Sequence, residues 1–236
     1  MTTGTEVVDQ EALRRQMQEQ MKAKIGQGSA SKIKLMKSKK FKLPNGVESD
    51  GPLSLVVLDF APYNTYYDRP FSEAADKRTP PACFALAAVK PAQLVPSDRS
   101  PAKQDEGQGC GKCWANKFKT APNGVGKACR NHYRIIGVEA NDDPQSPLYL
   151  IEAGPTSVTN WETYYANLQL KSKLLVDVVT DIWFDPKRDY QTLVFGNEAP
   201  NPFAAIHLGR YAEAKAKVLV EPDVSTYEAP PAPKRR

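Results

Sequence analysis

The chain has 236 residues, a quarter of them charged, with 20 prolines and a formal net charge of +5. That length permits one large domain or a modest core with extensions, and no run of about 18 apolar residues exists to cross a membrane. The stretch after Met1 has no apolar secretory signal, so the expected location is a reducing cytoplasm, where four cysteines bind metal more often than they pair as disulfides.

From Gln10 to Ile25, Leu13, Met17, Met21 and Ile25 recur every four residues, a narrow apolar stripe on a polar helix. Gly26 to Ser31 breaks it. Eight lysines then lie between Met21 and Leu43 with no acidic residue among them, so most of the charge surplus sits in one arm ending near Phe41. Pro44-Asn45-Gly46 reads as a turn, and residues 1–50 are expected to form an N-terminal helix and basic arm appended to a domain at 51–220.

Leu53 to Phe60 is almost continuously apolar and predicts a core strand; Tyr63, Tyr66 and Tyr67 follow it. A short strand is expected at Cys83 to Ala87. Residues 90–132 hold glycines, prolines and polar groups with little periodicity, an insertion too long for an unsupported loop. Strands are expected at Tyr133–Glu139 and Leu148–Glu152, then a helix from a Thr156 cap to about Lys171, with Val158, Trp161, Tyr165 and Leu168 facing inward. Leu174 to Phe184 predicts an irregular strand paired with Tyr190–Phe195 across Asp185-Pro186-Lys187, and Phe203 to about Val218 a second helix. Residues 221–236 read as a flexible, proline-rich basic tail. The expected class is α+β, with two helices packed on an antiparallel sheet; an OB-like barrel fits the strand count and the long insertion.

Cys110-Gly111-Lys112-Cys113 is a C-x-x-C knuckle, a spacing that lets both thiolates reach one tetrahedral ion. Cys129 follows sixteen positions after Cys113, as in the second half of a zinc ribbon. Two residues compete for the fourth place. His132 completes the set locally and costs less loop closure; Cys83 would tie the insertion back to the core and use every cysteine in the chain. Four protein ligands leave no open position for water, so such a zinc ion would be structural.

No catalytic constellation stands out. The histidines are His132 and His207, the latter in a predicted helix, and Gly124-Val125-Gly126-Lys127 lacks the full phosphate-loop pattern and its preceding strand. The expectation is a protein that is not an enzyme. Around the knuckle, Lys112, Trp114, Lys117, Phe118, Lys119, Lys127, Arg130 and Arg134 interleave cations with rings. Such a mixture suits single-stranded nucleic acid, because cations follow phosphates while rings stack on bases of any identity. Tyr63, Tyr66 and Tyr67, and Lys34, Lys37, Lys39, Lys40 and Phe41 of the basic arm, join the candidates.

Pro80-Pro81-Ala82-Cys83-Phe84-Ala85, Cys110-Gly111-Lys112-Cys113 and Asn123 through Asn131 resemble a family of tailed-bacteriophage early proteins. Leu148 to Ile151, Pro155-Thr156-Ser157, Trp161 and Tyr164 extend the likeness over roughly residues 50–185. Members are commonly described as single-stranded DNA-binding proteins. The resemblance implies Cys83 as the fourth ligand, with Cys110, Cys113 and Cys129, and a role in phage replication or recombination in the bacterial host cytoplasm. One departure is the basic end, Lys234-Arg235-Arg236, where many phage and bacterial single-stranded DNA-binding proteins carry an acidic tail that recruits partners. The alternative is a zinc-ribbon adaptor for a polymerase or another replisome or transcription protein, with the Leu13–Ile25 stripe as its partner helix.

Overall fold

The computed structural model describes residues 31–69 and 79–229. The expected helix at 10–25 and the last seven residues lie outside the described residues. In chain order the strands are β1 (Ser31–Lys32), β2 (Lys34–Leu35), β3 (Phe41–Lys42), β4 (Glu48–Ser49), β5 (Leu53–Tyr66), β6 (Cys83–Leu86), β7 (Cys129–Val138), β8 (Tyr149–Ala153), β9 (Val178–Phe184) and β10 (Leu193–Pro200). Helix α1 (Val158–Leu170) lies between β8 and β9; α2 (Ala204–Leu208) and α3 (Tyr211–Val218) follow β10.

The architecture is mixed α+β. A seven-stranded sheet runs β1-β8-β7-β5-β9-β10, with β6 also on β5, and every pairing in it is antiparallel except β1 on β8. The expected barrel is not formed among the described residues: the strand path ends at two-residue β1 on one side and at β10 on the other, and these edges do not pair.

β5 is the spine. Its Val56 and Val57 have no exposed surface, because elements cover both sheet faces, and this produces the unbroken apolar run in the sequence. The strand continues past Phe60 to Tyr66, so Tyr63 and Tyr66 belong to the sheet. A bulge between Val57 and Asp59 changes the alternation. Leu55 and Val57 face the core that holds Trp161; after the extra residue Phe60 also faces it, whereas Leu58 and Ala61 face the second core under α3. Everything beyond the bulge is therefore turned over relative to simple alternation.

Helix α1 buries Trp161, Tyr164 and Leu168 against the first core, one stripe at helical spacing; Tyr165 stays half-buried. Phe60 meets Trp161 edge-on at 5.1 Å. Thr156 is not the cap: its hydroxyl donates to the Gln191 carbonyl, and Ser157 accepts from the Leu193 amide. The irregularity expected before Phe184 is a short 3-10 turn at Leu175–Asp177. The second expected helix is split at Gly209-Arg210. His207 is 1% exposed and held between Asn201 and the Asn141 carbonyl, a packed polar core residue.

Residues 31–49 are built into the domain rather than appended to it. Ile33 and Phe41 are buried in the first core, with Leu35 and Leu43 against it, while Lys34 faces solvent. The lysines mask an apolar alternation that forms the β2-β3-β4 meander.

Candidate metal centre and nucleic-acid interface

The long irregular insertion hangs over one end of the sheet. Tyr66 of β5 lies opposite Cys83 of β6 on one side and Cys129 of β7 on the other. Residues directly opposite share a face, so both cysteines rise from the face that carries Asn64 and Tyr66. The knuckle closes down on them. Cys110 donates its amide to the Leu94 carbonyl at 2.9 Å, the Asn116 side-chain amide binds the Cys110 carbonyl at 2.9 Å, and the Cys113 thiol donates to the Gln104 carbonyl at 3.3 Å. The left-handed residue of this turn is Gly109, at φ 78°, not Gly111, whose missing side chain instead leaves room for the Ala92 carbonyl.

All four thiols are free, buried, and line one cavity of about 10 Å³ with Asn64 and Tyr66. His132 does not line it. Strand alternation turns His132 to the opposite sheet face, where its ring lies 6.0 Å from that of Tyr63 and its Nε2 is 3.5 Å from the Thr65 hydroxyl. Among the described residues, however, no group of three or more His, Cys, Asp or Glu side chains is drawn together as a metal-holding cluster. Two inter-strand steps of about 4.8 Å each separate the backbones of Cys83 and Cys129, which keeps these thiols neighbours rather than a closed sphere.

Burial, reinforced by the nearby thiols, raises the Cys110 thiol to about 11 and the Cys129 thiol to about 12, and Cys83 rises for the same reason. Burial thus opposes the ionisation of Cys83, Cys110 and Cys129, and a cation nearby would favour it. Lys127 supplies part of that charge near Cys129, while its ammonium binds Asn116 at 3.1 Å and Asn131 at 3.0 Å. Four thiols are a donor set of the chemistry that zinc takes, although the described residues do not draw them together as a metal-holding group.

The candidate nucleic-acid residues separate into three groups. Trp114 and Phe118 project from the knuckle, 42% and 74% exposed, with Lys112, Lys117 and Lys119 exposed around them. Tyr66 is half-buried and meets Trp114 edge-on at 5.7 Å; Lys127 lies 5.3 Å from the Phe118 ring. On the other sheet face Arg130 lies over the exposed Tyr67 at 5.8 Å, but Tyr63 and Arg134 are 5% and 7% exposed. Arg134 lies over Tyr63 at 4.0 Å, pairs with Glu152 at 3.3 Å and donates to the Val220 carbonyl, so neither is reached from solvent while residues 220–229 are seated. The third group is the meander. Lys34 and Lys37 are exposed, Lys39 and Lys40 half-buried, and Phe41 has no exposed surface because it packs on Phe184 at 4.5 Å. Phe184 and the knuckle lie toward opposite ends of β5, a strand about 45 Å long if straight, so lysine arm and knuckle are not one patch.

Two surface cavities lie outside this arrangement. One of about 480 Å³ borders Trp114, and its charged lining is Asp98, Lys103, Asp105 and Glu106, with Lys103 paired to Asp98. The other, about 550 Å³, opens at the β5 bulge between Phe60, Tyr165, Leu174 and Tyr211.

Burial lowers the His132 imidazole from 6.5 to about 4, against an opposing pull from Glu152. The folded chain therefore binds fewer protons at this group than the unfolded chain does in mild acid. Its contribution to stability is complete above pH 6.5 and declines as pH falls toward 4, by on the order of 3 kcal/mol. Replacing His132→Gln is expected to flatten that decline, as measured by urea unfolding across the same pH window.

No protein-family model matches the chain, and neither a curated protein nor a solved structure is similar to it.

Proposed function

We propose that this chain is a sequence-tolerant single-stranded DNA-binding protein whose binding knuckle is ordered by a structural zinc ion on Cys83, Cys110, Cys113 and Cys129. The observation that carries the reading is the pair of exposed rings, Trp114 and Phe118, on a turn surrounded by Lys112, Lys117 and Lys119. Exposed aromatics cost solvation free energy, and stacking on a base recovers it without selecting the base. The cavity beside Trp114 offers phosphates little net attraction, since Lys103 there is paired with Asp98, and Asp105 and Glu106 add negative charge, which favours a strand path along Lys117 and Lys119.

Zinc would supply the positive charge that four buried thiolates require, and tie β6, β7 and the insertion together. Lys127 would add charge beside Cys129 and hold the knuckle to β7 through Asn131.

The test is anisotropy of a labelled dT oligomer titrated with protein at several salt concentrations. Contacts from Lys112, Lys117 and Lys119 predict a log–log slope of about −2, using about 0.7 per phosphate on single strands. No binding at low salt would end the reading.

The alternative is an adaptor for a polymerase or another replisome or transcription protein. It draws on Phe118 and Val125, each 74% exposed, and on the apolar cavity beside Leu174 and Tyr211. A protein partner retained after nuclease treatment, with no binding to the dT oligomer, favours this second reading.

A further inference from the structure

Residues Val220 to Ala229 lie along the side of the sheet that carries Arg134, and a row of arginines holds them there. Arg134 donates to the Val220 carbonyl. Arg99 pairs with the Glu221 carboxylate at 3.3 Å, and the Ser97 hydroxyl binds the same carboxylate at 2.6 Å. At the end of β5, Arg69 donates to the carbonyls of Glu228 and Ala229 at 2.6 and 2.7 Å, while the Tyr227 hydroxyl donates to Asp68 at 2.5 Å. The segment carries Glu221, Asp223 and Glu228 and no cation.

The surface at Arg134 has its own character. Its guanidinium carbon lies over the Tyr63 ring at 4.0 Å, and Arg130 over Tyr67 continues the pattern at 5.8 Å. Strand alternation places Tyr63 of β5 and Arg130 and Arg134 of β7 on this face, away from the thiols, and Tyr67 follows at the strand end under Arg130. Planar cations on rings, with further arginine forks in series, match a chain of phosphates and bases. What occupies the place is an acidic segment without helix or strand, with one turn closed by the Tyr227 amide on the Val224 carbonyl at 3.0 Å. Its seating is imperfect: Asp68 Oδ1 and Arg69 Nε are buried without a hydrogen-bond partner, and the Glu228 side chain is 84% exposed.

We propose that the face bearing Arg69, Arg99, Arg130 and Arg134 is a second contact path for single-stranded nucleic acid, and that residues 220–229 cover it as an intramolecular competitor. This rests on the single-stranded DNA reading above. A strand that displaces the segment takes over its arginines, except that Arg134 keeps Glu152. The measured affinity is then the intrinsic one reduced by the fraction of molecules whose path is uncovered.

The experiment compares the full chain with a triple variant, Glu221→Gln, Asp223→Asn and Glu228→Gln. A control triple, Glu48→Gln, Asp50→Asn and Asp142→Asn, makes the same charge change at exposed sites elsewhere. Binding of a dT oligomer is read by anisotropy, and amide exchange of residues 220–229 is read with and without the oligomer. The strap variant is expected to bind about tenfold tighter than wild type and well beyond the control, and exchange of 220–229 in wild type is expected to rise on DNA saturation. Wild-type binding with no gain beyond the control and unchanged exchange overturns the competitor and leaves the knuckle reading standing. No binding by any of the three overturns both.

Discussion

Cys129→Ser is expected to abolish stoichiometric zinc and to lower the unfolding free energy by on the order of 5 kcal/mol or more. Cys129 is the sharpest choice because it starts β7 opposite Tyr66, so it joins the sheet to the insertion. Losing one of the four proposed ligands would open the coordination sphere and leave Cys83 and Cys110 as thiols whose ionisation burial opposes. A buried thiol also packs, so some loss would follow from the substitution alone. Chelation separates the two: a strong chelator should lower the melting temperature of wild type and leave the variant where it is. Metal analysis of purified wild type that finds no zinc, together with a melt indifferent to chelator, would remove the metal from this account.

The second large effect contrasts two phenylalanines. Phe41→Ala is expected to cost about 3–5 kcal/mol of stability, because the ring has no exposed surface and packs on Phe184 at 4.5 Å. Phe118→Ala should leave the melt within about 1 kcal/mol of wild type, since its ring is 74% exposed and gives up only its contact with Lys127. It should instead weaken dT binding by about tenfold or more, the loss of one stacked base. Calorimetry and anisotropy on the same preparations check both halves. A Phe118 variant that binds as wild type does would move the DNA surface away from the knuckle.

Much of the fold was legible in residue order alone. The unbroken apolar run of β5, the helical stripe of α1 and the turn at Asp185-Pro186-Lys187 each encode a local structure, because each solvent pattern follows from a single element. The cysteines were legible as candidates for the same reason: with two residues between them, Cys110 and Cys113 are spaced so that both sulfurs can reach one tetrahedral ion. The lysine arm misled because charge was counted in place of alternation. Ile33, Leu35, Phe41 and Leu43 lie between those lysines and build the meander into the core.

What the residues determined by themselves was composition at each place: an apolar spine, four thiols, exposed cations and rings on a long insertion. What only the tertiary structure decided was which of them meet. One extra residue at the Val57–Asp59 bulge turns over the rest of β5, so that Phe60 joins Leu55 and Val57 on one core while Leu58 and Ala61 face the other. A shift of one residue leaves local propensity almost unchanged but exchanges every side chain between the two faces. Likewise Cys83 shares the thiol cavity while His132 does not, because strand pairing brings Cys83 beside Tyr66 and pleating points His132 away. Sequence distance carries no information about either.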